Sequence, residues 1–70
     1  MIERAVALAI EREPGLLHGA AVRRPKAWGA LAAAGVVAFR EIAGRAPADA
    51  ERRAIWAELW RAVEVVSPGG

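Results

Sequence analysis

Prolines and glycines cut this chain into a few intervals, and only those intervals can hold regular structure. Pro14 and Gly15 adjoin, Pro25 follows Arg23 and Arg24, Gly44 precedes Pro47, and Pro68 stands before the final glycines. Proline lacks a backbone donor and restricts the residue before it, so an element starts or stops near each of these points. In the intervals that remain, apolar residues recur at spacings of three and four. That is the period of a helix, not the alternation of a strand.

The first interval predicts a helix over about 2–12. Ile2, Ala5, Val6, Ala9 and Ile10 fall on one face, with Glu3, Arg4, Ala7 and Glu11 opposite. Leu8 lies at the edge of the polar face, either exposed or meeting a partner. Residues 14–25 read as a connector, long for a helix–helix loop in a small bundle. Leu16, Leu17 and Val22 are too apolar for a solvated loop. A short helical turn near 16–21 is therefore expected to lid the core.

A second helix is predicted over about 25–43. Pro25 suits its first position, where the missing N–H has no partner to lose. Gly44 suits a left-handed cap, and Pro47 prevents continuation. Trp28, Leu31, Gly35, Ala38 and Ile42 step along one face beside Phe39, with Ala32, Val36 and Ala43 as a flank. Ala33 and Val37 lie almost opposite, so this helix is apolar nearly all round, as a buried central helix is. Glu41 and Arg45 are spaced to form an i,i+4 pair.

A third helix is predicted over about 47–66, with Pro47 in first position and Asp49 and Glu51 in its electropositive first turn. Ile55, Leu59, Ala62, Val63 and Val66 form its stripe, and Trp56 and Trp60 widen it. The helical spacing of the tryptophans makes core the favoured reading, with Trp60 the one expected nearest the surface. Arg52 is expected to lie with its head at the core rim, Glu13 being a candidate partner. Arg53 is placed to lie over Trp56 or Trp60.

The fold class expected is all-α: one domain over 1–66, a compact bundle of three main helices with a lid turn, followed by a disordered tail over 67–70. With 70 residues, no Cys and one His, neither disulfides nor a thiolate metal site can staple it. Stability must come from tight packing or from a second chain. Two flanking helices do not easily cover a central helix on every side. Ala33, Val36 and Val37, with Leu8, are therefore expected to form an interaction surface that pairs two copies in a homodimer. Coverage of that face by the lid segment, through Leu16, Leu17 and Val22, is the competing reading.

Asn, Gln, Thr and Tyr are absent, a bias that resembles proteins from hot habitats or GC-rich genomes. The amino-terminal stretch lacks the layout of a signal peptide, and the longest uncharged run, 27–39, is too short to cross a bilayer. A soluble, cytoplasmic protein without membrane contact is expected.

Catalysis finds little support. Ser67 is the only Ser, Lys26 the only Lys, and no phosphate loop is present. The carboxylates read as solvated faces. No enzyme, cofactor or metal is expected.

The remaining signal is charge. Residues 18–45 hold Arg23, Arg24, Lys26, Arg40 and Arg45 against Glu41, a net +4, while the flanking thirds are each −1. The stretch RRPKAW puts three cations where a helix start should repel them. Arg23, Arg24 and Lys26, with His18 nearby, are the candidate site for an anion: nucleic-acid phosphate, a small metabolite or the acidic side chains of a protein partner. The alternative is three solvated cations and an ordinary loop histidine. Sequence-specific DNA readout is disfavoured because Trp28, Gly29, Ala30 and Leu31 follow where reading side chains would be needed. The function expected is a non-enzymatic interaction module that self-associates through the second helix, with nucleic-acid or phosphate binding as the alternative.

Overall fold

The computed structural model describes residues 1–68 and is helical in every regular element: α1 (Ile2–Arg12), α2 (Pro14–Ala21), α3 (Ala27–Ala43) and α4 (Asp49–Val66). The lid turn expected near 16–21 is a full helix of two turns. Glu13 ends α1, donating its N–H to the Ala9 carbonyl, and its own carbonyl accepts from Leu16 and Leu17 to open α2. Pro14 then fills the first position of α2, where its missing donor is harmless.

α3 is central and packs against each of the other three helices. The largest fully buried side chains are Phe39 and Leu31 of α3 and Ile55 and Leu59 of α4, joined by Ala5, Ala9, Ala38 and Val63. Small residues set the spacing. A Cβ at Gly35 would come within 2.7 Å of Ile55 Cγ2 and 2.9 Å of Leu59 Cδ1, so α3 and α4 touch through a glycine. A Cβ at Gly19 would lie 3.1 Å from the Ala27 methyl, so α2 and α3 also approach closely, though less so. The Cα radius of gyration, 11.3 Å, is what a single compact chain of this length should have, about 11 Å. No helix among the described residues is long and apolar enough to cross a membrane.

Both proline-led helix starts differ from expectation. α4 begins at Asp49 with Ala48 as N-cap, so Pro47 lies outside the helix. Ala48 has no side-chain oxygen to cap with, and Glu51 reaches back instead, accepting the Ala48 N–H at 2.8 Å while Arg45 grips the same carboxylate at 2.7 and 2.9 Å. α3 begins at Ala27, and Pro25 belongs to the turn before it.

Charge partners also differ. Glu41 pairs with Arg12 of α1 rather than with Arg45, because Arg45 lies past the helix end and turns toward α4. Arg52 and Arg53 both pair with Asp49, one turn back, rather than with Glu13 or a tryptophan alone. It is Arg52, not Arg53, that covers Trp56, its guanidinium 5.4 Å from the ring centre. Of the tryptophans expected in the core, Trp28 is half-buried and packs against it, but Trp56 and Trp60 are 37% and 49% exposed, Trp60 the most as expected, since the narrow stripe of Ile55, Leu59 and Val63 already fills the space facing α3. Ser67 is half-buried and donates to the Val63 carbonyl at 2.8 Å. Of the tail expected over 67–70, the last two residues lie outside the described part.

Candidate interaction surfaces

The turn joining α2 to α3 explains why RRPKAW is built as it is. Past the last helical residue, Ala21, the Arg24 N–H donates to the Gly19 carbonyl at 2.8 Å and the Arg23 N–H to Ala20 at 3.1 Å. With Arg23 at φ +60°, this is a Schellman cap on α2, the 6→1 and 5→2 bonds closing around a left-handed residue. The Arg24 stem lies over Gly19, 3.6 Å from where a Cβ would be, in the place of the apolar contact that usually completes the motif. Pro25 prevents the chain from going on. The Ala27 N–H then returns to the Arg24 carbonyl at 3.2 Å. With Pro25 second and Lys26 third at φ +67°, ψ −6°, this is the arrangement of a type II turn.

Pro25 therefore stops one helix rather than starting the next. Arg23 and Arg24 sit at the electronegative end of α2, where cations are favourable, so the conflict expected at a helix start falls on Lys26 alone. A different cost takes its place. Arg23 and Lys26 are the only non-glycine residues with positive φ among those described, both at turn positions that favour glycine. The left-handed region costs an L-residue roughly 1–2 kcal/mol. At the corresponding position after α3 the chain uses Gly44, at φ +73°.

Two surfaces emerge. The first is a groove of about 470 Å³ between the end of α2 and the last turns of α4. Ala20, Ala21, Val22 and Val63 give its apolar lining, the exposed Trp60 stands in its wall, Arg23 and Glu64 supply charge, and Ser67 and Pro68 complete it. Trp60 is held from behind by Trp28, ring centres 5.2 Å apart in an edge-to-face pair. Among the described residues Arg12, Arg45, Arg52, Arg53 and Arg61 are in ion pairs, while Arg4, Arg23, Arg24, Lys26 and Arg40 are not. The structure places Arg23 and Trp60 in the lining of one groove, which sequence distance conceals. His18 is exposed on α2, outside the groove lining.

The second surface is the outer side of α3. Gly29, Ala30, Ala33 and Val37 are exposed there, Val37 to 52%. Val36 is half-buried, and Leu8, half-buried on α1, packs against the core. Of the four residues expected to form an interaction surface, Ala33 and Val37 are open to a partner. In the groove, Trp60 is exposed as expected, Val22 is exposed rather than lidding the core, and Glu64, read as part of a solvated face, lines it. The exposure of Trp60 has a signal in the sequence: Trp56 and Trp60 flank the stripe of Ile55, Leu59 and Val63 instead of lying in it.

No polar or charged side chain is buried among the described residues, and no group of metal-ligating side chains forms there. The chain matches no protein family model, no curated protein and no solved structure.

Proposed function

We propose that this protein is a non-enzymatic helical interaction module that self-associates through the outer face of α3. One observation carries the reading: the central helix keeps an uncharged stripe, Gly29, Ala30, Ala33 and Val37, open along its outer side. Small side chains let a second helix approach closely, and a two-fold contact of α3 with its copy covers Val37 in both chains.

The alternative, nucleic-acid or phosphate binding by Arg23, Arg24 and Lys26, rests on three exposed cations of one turn that have no carboxylate partner, one of them, Arg23, lining the groove that holds the exposed Trp60. Glu64 across the same groove opposes it. Sedimentation equilibrium from micromolar to near-millimolar concentration tests the self-association. A two-fold mass in the wild type and a monomer for Val37→Glu are expected. A wild type that stays monomeric throughout removes the reading.

A further inference from the structure

The joints between helices are not alike, and one of them carries strain. Glu13 joins α1 to α2, closing the first helix with its N–H and opening the second with its carbonyl. α3 leads to α4 through Gly44, where a left-handed backbone suits glycine, and Glu51 holds both Arg45 and the Ala48 N–H at the start of α4. The joint from α2 to α3 instead puts Arg23 at φ +60° and Lys26 at φ +67°. Both are L-residues in a region that disfavours them. Residues 22–26 are all exposed, between the buried Ala21 and Ala27.

We infer that this turn is the hinge of a domain exchange, in which α1–α2 of one copy leaves its own α3–α4 and packs on the α3–α4 of a second copy. The partner is selected by contacts the chain already makes. α1 and α2 pack chiefly on α3 and α4 and little on one another, so the core lies between the two halves. Ala5, Ala9 and Ala21 of the first half share one cluster with Leu31, Phe39 and Leu59 of the second. Arg12–Glu41 is the one ion pair among the described residues that crosses between the halves. An identical half from a second copy restores all of these, so the closed and exchanged forms differ only in the hinge and in the entropy of association.

The hinge favours opening. Extending it relieves both left-handed residues in each chain. The turn's hydrogen bonds are surrendered where water replaces them, since the turn is exposed. Pro25 lacks a donor and biases Arg24 toward extended backbone, so the opened joint is a strand-like linker rather than a continuous helix. From Ala21 to Ala27 such a linker reaches about 20 Å. Reciprocal exchange is two-fold and closes on itself. It leaves the outer face of α3 open, so it is a separate event from the self-association proposed above.

The test is made in the Val37→Glu background, where the α3 face adds no mass. Protein refolded from urea at near-millimolar concentration and then diluted to micromolar is expected to show a dimer on size-exclusion chromatography that persists for hours, because return to monomer requires unfolding. Refolding at micromolar concentration should give monomer. Adding R23G/K26G should lower the dimer yield about tenfold or more, since glycine removes the strain that opening relieves, and should not lower the melting temperature of the monomer. A complementation pair separates exchange from any surface contact. Ala9→Glu and Leu59→Glu each put a charge into the closed core, and each alone is expected to stay unfolded. Refolded together they exchange into one lobe with both charges and one with neither, so helical signal and a cooperative melt return. No dimer at any refolding concentration, an equal yield with R23G/K26G, or a pair that regains no more structure than either chain alone overturns the proposal. A wild type that never doubles its mass without refolding removes the α3 reading and leaves the exchange standing.

Discussion

Gly35 shows how much a single residue decides here. On α3, Gly29 and Gly35 are both mid-helix by sequence, and Ala is the better helix former at either by up to about 1 kcal/mol. Their surroundings separate them. A Cβ at Gly29 meets nothing within 4 Å, whereas one at Gly35 strikes two methyl groups of α4 closer than 3.0 Å, both on fully buried side chains. Overpacking of this kind typically costs about 1–3 kcal/mol and exceeds the gain in propensity. Gly35→Ala should therefore destabilise by about 1–2 kcal/mol and Gly29→Ala should stabilise slightly, read as opposite shifts in the urea midpoint. Equal shifts would mean that α3 and α4 do not touch at Gly35. The stripe containing Gly35 is legible in the sequence. That the helices cross at this glycine is not, because it depends on where Ile55 and Leu59 arrive from a distant part of the chain.

At the scale of the element, the start of α4 depends on a carboxylate borrowed from its third position. The Arg45 guanidinium, and secondarily the Ala48 N–H, lower the pKa of Glu51 from 4.5 to about 2. A carboxylate with a depressed folded pKa contributes stability that is fully present above its ordinary pKa and is lost as pH falls through the folded value. The melting temperature should thus decline as pH drops from about 5 toward 2. Glu51→Gln should flatten that decline, leaving the part due to Glu41, which Arg12 lowers in the same direction. An unchanged slope in Glu51→Gln would show that the contact does not hold α4. Acidic residues in the first turn of α4 could be read from the sequence. The Arg45–Glu51 link could not, because the i,i+4 spacing of Glu41 and Arg45 offers a nearer partner that Gly44 turns Arg45 away from. The same limit applies to α2. Pro25 reads equally well as a first residue or as a stop, and only the two hydrogen bonds closing on Gly19 and Ala20 distinguish them.

For the whole molecule, the question is what a 70-residue chain without disulfides does with its surplus apolar surface. Some of it lies inward on α2, where Ala20 and Ala21 complete the core. The rest remains outside, on α3 and around Trp60. Under the proposed self-association, stability is tied to protein concentration by mass action. The melting temperature of the wild type should rise with concentration, and that of Val37→Glu should not; parallel curves would place the association elsewhere. The helical class, the approximate extents of the long helices and most of the buried residues were determined by the sequence itself, because period, punctuation and apolar content are local properties. The boundary between α2 and α3, the exchange of salt-bridge partners, the exposure of the tryptophans and the placing of Arg23 and Trp60 in one groove lining were decided only by the folded structure. The Arg12–Glu41 pair, the tryptophan exposure and the shared groove depend on the distance between residues far apart in the chain, which close packing at Gly19 and Gly35 helps to set; the α2–α3 boundary and the Arg45–Glu51 link are local choices between arrangements that the sequence pattern allows equally.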